Sequence, residues 1–132
     1  MADAKIGVGG APTRTTILPE DPAKRKKFPI ASGVLDYFPD ALVAVSEVSQ
    51  VGNDQHNPGQ PLHWARGKSM DQMNTAFRHM WDYGRGTKKD TDGQYHLAKA
   101  IWRLSAQLQL DIEAQAKVDS TVIKRECKCQ VQ

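Results

Sequence analysis

The chain has few cysteines and no long apolar run. Its two cysteines, Cys127 and Cys129, are separated by one residue and lie in the last six positions. Such a pair cannot build a disulfide framework, and alone it is too small for a closed zinc site. No apolar run approaches the ~20 residues of a membrane span, and the N-terminus lacks the charged-then-apolar pattern of a signal peptide. We therefore expect a reduced, soluble, cytoplasmic protein with no membrane partner.

Composition sets further limits. At 132 residues the chain is long enough for one domain with a core, and its hydrophobic fraction is 39%. This fraction is below the ~45–50% of globular chains, an average that also counts glycine, so we expect polar tails or a wet site. The net charge of +3 comes largely from the KRKK run at 24–27. The run is short and lacks interleaved aromatics, so a nucleic-acid partner is disfavoured. The absence of GxxxxGK[ST] excludes a P-loop NTPase.

The hydrophobic periodicity predicts three main helices, at about 39–53, 69–83 and 94–117, and no strand. Pro39 suits a first helical turn, and Ser69 with Gln72 resembles a capping box. The second and third helices each carry an apolar stripe, formed by Met70, Met73, Phe77, Met80 and Trp81 and by Leu97, Ile101, Leu104, Leu108 and Ile112. We predict an all-α bundle that is completed by pairing with another copy. Three amphipathic helices rarely bury all of their apolar stripes against one another.

Three segments are predicted along the chain. Residues 1–27 form a flexible basic arm, residues 28–118 the helical catalytic domain and residues 119–132 a C-terminal tail that either continues the third helix or lies loose. The connection from 54 to 67 exceeds the ~12 residues beyond which a loop usually has a function. It carries His56, His63, Trp64 and Arg66. Trp64 could stack on a base or could cover the core.

Two rows of polar side chains could hold a cation. Asp40, Glu47 and Asp54 are seven residues apart on the first helix, and Asp71, Asn74 and Asp82 share a face of the second with Arg78. A polar face opposite an apolar stripe is usually only solvated. However, the first row contains almost no basic residue, and the second mixes acids with Asn74 and Arg78. If the two faces meet, the unpaired carboxylates would favour Mg²⁺ or Mn²⁺, which take oxygen ligands.

The basic and histidine side chains add weaker indications. Lys68, Arg78 and Lys27 are candidates for holding a polyphosphate. The spacings of the four histidines match no zinc motif such as HExxH. We therefore interpret His79 and His96 as structural hydrogen-bonding groups or substrate contacts rather than as zinc ligands.

The stretch from Phe28 to about Glu113 resembles a phage-associated family of dATP/dGTP diphosphohydrolases, the MazZ-type relatives of the all-α MazG nucleoside triphosphate pyrophosphohydrolases. The matching segments are FPDALVAVSEVSQVGNDQHNPGQPLHW, KSMDQMNTAFRHMWD and DTDGQYHLAKAIWRLSAQLQ. The most specific feature is RHM followed by an acidic glycine turn and HLAKA. The resemblance implies a MazG-like helical bundle that forms a homodimer or homotetramer. It also implies Mg²⁺ or Mn²⁺ and hydrolysis of a purine deoxynucleoside triphosphate to the monophosphate and pyrophosphate, with dGMP feeding 2-aminoadenine nucleotide synthesis in such phages.

The chain departs from the broader MazG pattern, in which an EExxE helix and an ExxD helix bind the metal. The first helix has only Glu47 in its middle, and the second reads DxxN, from Asp71 to Asn74, where ExxD would stand. Asn is a neutral and weaker ligand, so the four-acid cluster is thinned. The acids that could compensate are Asp54, Asp82, Asp90 and Asp92.

The leading hypothesis is a metal-dependent dNTP pyrophosphohydrolase. Glu47 and Asp71 are its predicted catalytic residues and core metal ligands, completed by Asn74 or Asp54. The predicted phosphate-binding residues are Arg78, Lys68 and Lys27, and the predicted base-binding residues are Trp64, His63 and Asn57. Arg78 could instead brace a carboxylate. The alternatives are a non-catalytic helical binding module that has lost its metal and a nucleic-acid-binding accessory protein that uses the basic arm.

Overall fold

The structure is a computed structural model that describes residues 16–129. It contains the helices α1 (Pro22–Arg25), α2 (Pro39–His56), α3 (Gln72–Gly84) and α4 (His96–Cys129), with a π-helical turn at Ala31–Leu35. The described part of the chain contains no strand, and its only strand-like pairing is a bridge between Lys89 and Tyr95. The prediction of an all-α fold is confirmed. No helix within these residues is long and apolar enough to cross a bilayer.

The chain divides into two compact units, residues 1–37 and 38–132. In the first unit, Asp21 caps α1 by accepting a hydrogen bond from the backbone N–H of Lys24 at 3.1 Å, and Pro22 occupies the first turn. The basic run at 24–27 is exposed and lies within and just after this short helix. The glycine-rich part of the predicted arm, up to residue 15, lies outside the described residues.

In the second unit α4 packs against both α3 and α2. The buried apolar residues of the described part of the chain are all alanines: Ala76 on α3 and Ala98, Ala100 and Ala106 on α4. Such small side chains let helix backbones approach closely, but each removes little apolar area from water. Across residues 16–129 no large hydrophobic side chain is fully buried.

The predicted apolar stripes are therefore largely exposed. On α3, Phe77 is 57% and Trp81 68% exposed, and Met73 is also exposed. On α4, Leu97, Ile101, Leu104 and Leu108 are likewise exposed. A single copy leaves these side chains in water, so the predicted pairing with another copy stays a prediction that the exposed stripes favour.

The helix boundaries differ from the sequence prediction in three places. α2 continues past Gly52-Asn53 to His56. α3 begins at Gln72, not at Ser69, so the predicted capping box is wrong: Gln72 Nε2 donates to the Ser69 carbonyl instead, at 3.4 Å. α4 runs to Cys129, so the segment after 119 continues the helix. Glutamine–aspartate pairs four residues apart support its outer half, at Gln107–Asp111 (2.7 Å) and Gln115–Asp119 (2.8 Å).

Candidate metal centre and adjoining cavity

Two histidines and an aspartate meet where α3 packs against the start of α4. His79 lies on α3, Asp90 lies in the turn between the helices and His96 is the first residue of α4. One ligand atom from each lies within 4.8 Å of the others, and the two histidine Nδ1 atoms are 3.0 Å apart. This arrangement is a possible metal-binding triad. Burial lowers the pKa of His79 and the charge of Lys99 lowers it further, which favours the neutral imidazole that a metal requires.

A tight turn brings Asp90 and His96 together. The bridge between Lys89 and Tyr95 closes the turn, and the backbone N–H of Asp90 donates to the Gln94 carbonyl at 2.8 Å. Gly93 has a φ of 82°, in the left-handed region that favours glycine. The N–H of His96 donates to the Lys88 carbonyl at 3.0 Å. These hydrogen bonds place His96, the first residue of α4, beside the acidic turn.

Lys99 holds the acidic turn from one turn further along α4. Its Nζ donates to Asp90 Oδ2 and to Asp92 Oδ2, both at 2.7 Å. The hydrogen bond from Lys99, together with one from the N–H of Thr91, lowers the pKa of Asp90 to about 2. The Lys99 bond likewise lowers the pKa of Asp92. Both carboxylates therefore stay ionised at neutral pH, the form in which Asp90 can bind a cation.

A cavity of about 380 Å³ adjoins the triad and shares His79 with it. It lies between the C-terminal half of α2, the loop 57–69 and α4, and a cavity of this size can accept a small molecule. Trp64 and Trp102 form an edge-to-face pair in its lining, with ring centroids 5.9 Å apart. Trp102 Nε1 donates to Ser49 Oγ at 2.6 Å, which ties α4 to α2 beside the cavity.

The loop that carries Trp64 is fixed at two points. Asn53 is 5% exposed, and its amide donates to the Gln60 carbonyl at 2.9 Å and accepts from the N–H of His63 at 3.3 Å. Arg66 forms a two-bond ion pair with Glu113 of α4, in which Nη2 and Oε1 are 3.0 Å apart. The Arg66 guanidinium also lies 4.3 Å from the centre of the Trp64 ring. The bonds of Asn53 on α2 and the ion pair of Arg66 with α4 therefore hold the loop, and Trp64 with it, against these two helices.

Four predicted binding residues, Asn57, His63, Trp64 and Lys68, line this cavity. Three others, Asp71, Asn74 and Arg78, come together at the exposed N-terminal end of α3. Arg78 donates to Asp71 Oδ2 at 3.2 Å and to Thr75 Oγ1 at 2.8 Å. The pKa of Asp71 is lowered, first by a hydrogen bond from Asn74 and then by Arg78.

The predicted ligands on α2 lie elsewhere. Glu47 and Asp54 are exposed, and Asp54 accepts a hydrogen bond from Gln50 at 2.9 Å. At about 100° per residue, both lie on roughly the opposite side of α2 from its cavity-lining residues, Val48, Ser49, Gly52, Asn53, Gln55 and His56. Within residues 16–129 no hydrogen bond or ion pair joins Glu47 to Asp71. Lys27 belongs to the first compact unit. The ligand roles of Glu47 and Asp54 and the phosphate role of Lys27 stay predictions.

Sequence reasoning missed the triad and Arg103. His79 and His96 were interpreted separately because 17 residues part them. The available signal was a histidine near the end of one helix and another at the start of the next, flanking a short acidic turn. Arg103 lies within the predicted third helix, where periodicity gave it no special role, yet it lines the cavity and donates to Gln72 Oε1 at 3.1 Å.

The family model described as dATP/dGTP diphosphohydrolase, N-terminal, matches residues 19–120. The match covers more than three quarters of the 132 residues, including the triad and all of the cavity lining. No curated protein and no solved structure matches the chain.

Proposed function

Because the chain belongs to the dATP/dGTP diphosphohydrolase family, we propose that it hydrolyses dGTP or dATP to the deoxynucleoside monophosphate and pyrophosphate. One water is consumed, and the bond between the α-phosphorus and the bridging oxygen to the β-phosphate is broken. We further propose, from the resemblance to the phage enzymes, that its dGMP supplies 2-aminoadenine nucleotide synthesis in the cytoplasm of a phage-infected host.

The observation that carries the proposal is the cavity. Its lining offers side chains for binding a base and a side chain for binding phosphate, and it adjoins the metal-binding triad. Trp64 and Trp102 provide aromatic surface for a purine ring. The side chains of His63 and Asn57 can hydrogen-bond to the edge of a base. Lys68 is the predicted phosphate contact in the lining. His79, on the same lining, connects this cavity to the triad.

The donor atoms of the triad fit one of the two predicted cations better than the other. Mg²⁺ takes mainly oxygen ligands, whereas imidazole nitrogen suits transition metals. We therefore propose that His79, Asp90 and His96 hold Mn²⁺ in preference to Mg²⁺. When bound, such a cation stabilises negative charge on phosphate oxygens. Lys99 contributes by keeping Asp90 ionised and in place.

A second ligand set follows from the family resemblance. It comprises Glu47 and Asp71 as catalytic residues and core ligands, completed by Asn74 or Asp54. Lys27 is an additional phosphate contact, and Arg78 either contacts phosphate or braces a carboxylate. The contacts among Asp71, Asn74 and Arg78 support only the α3 part of this set. The two sets make different predictions for single substitutions.

The proposed reaction is tested by incubating the full chain with dGTP or dATP and Mn²⁺, Mg²⁺ or EDTA, and by measuring pyrophosphate and the monophosphate. We expect equal amounts of both products with Mn²⁺, less with Mg²⁺ and none with EDTA. His96→Asn should abolish hydrolysis if the triad holds the cation, whereas Glu47→Gln should do so if the second set does. Glu126→Gln, which changes an exposed acid of α4, is the matched control and should keep wild-type activity.

Absence of hydrolysis with every cation would overturn the proposed reaction. Binding of Mn²⁺ and nucleotide without turnover would then favour the non-catalytic helical module. Salt-sensitive binding to DNA or RNA in place of nucleotide binding would favour the accessory protein.

We also propose that the chain acts as a homodimer or homotetramer. The support is the exposed apolar surface of Phe77, Trp81, Leu104 and Leu108, which a second copy could cover. Light scattering coupled to size-exclusion chromatography should give a mass of two or four chains, and Phe77→Asp should reduce it. A wild-type mass of one chain at micromolar concentration would contradict self-association.

A further inference from the structure

Arg103 is an arginine of the cavity lining that forms no ion pair with any of the residues that the structure describes. It is half-buried, and within residues 16–129 its side chain forms one hydrogen bond, to the neutral amide oxygen of Gln72 at 3.1 Å. The arginines that form ion pairs in the described part of the chain are Arg66, with Glu113, and Arg78, with Asp71. Removing a guanidinium from water without a compensating anion is unfavourable. An anion that enters the cavity would therefore find an uncompensated positive charge.

The electrostatic surroundings agree with this interpretation. Burial lowers the pKa of Arg103, and the charge of Arg78 lowers it further. Asp71 acts in the opposite direction, but it is already bonded to Arg78. A guanidinium remains protonated despite such shifts. The lowered pKa therefore reflects a charged group that would be stabilised by an additional anion.

The Arg103 side chain is also held in position. Gln72 is 2% exposed, and because its Nε2 donates to the Ser69 carbonyl, its Oε1 is the atom that faces Arg103. The guanidinium lies 5.4 Å from the centre of the Trp102 ring. A guanidinium has five N–H donors, so the single bond to Gln72 leaves enough of them for a two-bond contact with phosphate oxygens.

Arg78, the arginine selected from the sequence, differs in each respect. Its side chain is 63% exposed, it is bonded to Asp71 and Thr75, and it is absent from the cavity lining. Its charge is already compensated by Asp71, and its exposed side chain remains accessible to water.

We propose that Arg103 is the arginine that binds the polyphosphate chain of the nucleotide in the cavity, and that Arg78 instead positions Asp71. This inference rests on the proposed function, since it assigns the phosphate end of the same substrate. It adds Gln72 as the residue that positions the Arg103 guanidinium.

The test measures binding of inorganic tripolyphosphate to the full chain by calorimetry, in EDTA so that no cation contributes. The variants are Arg103→Gln, Arg103→Lys, Arg78→Gln and Arg125→Gln, the last being an exposed arginine of the same helix. A charged hydrogen-bonding contact of this kind predicts a 10- to 100-fold weaker affinity for Arg103→Gln. Arg103→Lys should lose less, because it keeps the charge but not the planar pair of donors. Arg78→Gln should weaken binding less than Arg103→Gln, and Arg125→Gln should match wild type.

The same variants are then assayed for dGTP hydrolysis and thermal unfolding. We expect Arg103→Gln to raise KM by at least tenfold without a matching fall in melting temperature. Wild-type tripolyphosphate affinity in both Arg103 variants would overturn the proposal, as would an equal loss in Arg125→Gln or no tripolyphosphate binding by wild type. Arg103-dependent binding without any hydrolysis would support the proposal while overturning the proposed reaction, so the two failures are distinguishable.

Discussion

The buried amide of Asn53 should control both the stability of the second unit and the position of the cavity loop. Asn53 is 5% exposed, and it is the one α2 side chain bonded to the loop backbone at two points, Gln60 and His63. The two bonds require a side chain with both a donor and an acceptor, which an amide provides. Asn53→Ala removes both contacts, and Asn53→Asp keeps the shape but replaces the donor with a second acceptor.

The sizes of the two effects follow from these contacts. A net value of ~1 kcal/mol for each hydrogen bond gives about 2 kcal/mol for Asn53→Ala, which corresponds to a fall in melting temperature of roughly 10 °C in a domain of this size. Asn53→Asp should cost about 3 kcal/mol at pH 7, because a buried carboxylate would face the Gln60 carbonyl. Burial raises the pKa of the introduced carboxyl, and only its protonated form can donate. The stability of this variant should therefore recover as the pH falls from 7 towards 4.

The assay combines thermal and urea unfolding, at equal protein concentrations, with dGTP kinetics. Gln60→Ala is the matched control, because it removes the neighbouring side chain but keeps the carbonyl that Asn53 contacts. We expect Gln60→Ala to resemble wild type and Asn53→Ala to raise KM, since the loop that carries Trp64 is released. The reasoning is refuted if Asn53→Ala melts within about 2 °C of wild type, or if Gln60→Ala loses as much stability as Asn53→Ala.

Three further perturbations test other contacts. Glu113→Gln should lower the free energy of unfolding by about 1–2 kcal/mol in urea titrations, because it removes the carboxylate paired with Arg66; unchanged stability would contradict this role. The metal-free protein should lose about 1–2 kcal/mol between pH 4 and pH 2, because the folded pKa of Asp90 is about 2 against an unfolded value near 3.8. This stabilisation is complete above the unfolded pKa and is lost as the pH falls through the folded pKa. The free energy of unfolding of Asp90→Asn should therefore fall less than that of wild type between pH 4 and pH 2. Gly93→Ala should cost about 1 kcal/mol and weaken Mn²⁺ binding in calorimetry, because φ is 82° there; a stabilised variant would contradict it.

The helices were predictable because each has a periodic pattern of apolar residues within its own segment of the sequence. The steps of four from Met73 to Phe77 and Trp81, and of four and three along Leu97, Ile101, Leu104 and Leu108, indicate an α-helical period without any tertiary information. The position at which a helix begins or ends depends on which partners the polar groups near that end bond to. Ser69 resembled an N-cap in the sequence, but its carbonyl accepts a hydrogen bond from the Gln72 side-chain amide, and the helix begins at Gln72. Gly52-Asn53 looked like a stop, but the Asn53 side chain bonds to the loop and the helix continues to His56.

The cavity lining was predicted in part for a similar reason. The loop 54–67 is long and carries aromatic and basic side chains, which indicate a site regardless of how the helices pack. Periodicity relates residues on one helix only. It could not show that α4 would supply Trp102 and Arg103 to the same cavity, nor that the Gly93 turn would bring His79 and His96 within 3.0 Å of each other.

The two candidate ligand sets imply different roles for a second copy. His79 belongs both to the triad and to the cavity lining, so a cation held there would lie beside a substrate bound by one chain. Glu47 and Asp54 lie on roughly the opposite side of α2, so a cation held there would reach a nucleotide only if another copy supplied the remaining contacts. The first arrangement predicts that activity per chain is independent of protein concentration. The second predicts that activity falls on dilution below the dissociation constant of the oligomer, together with its mass.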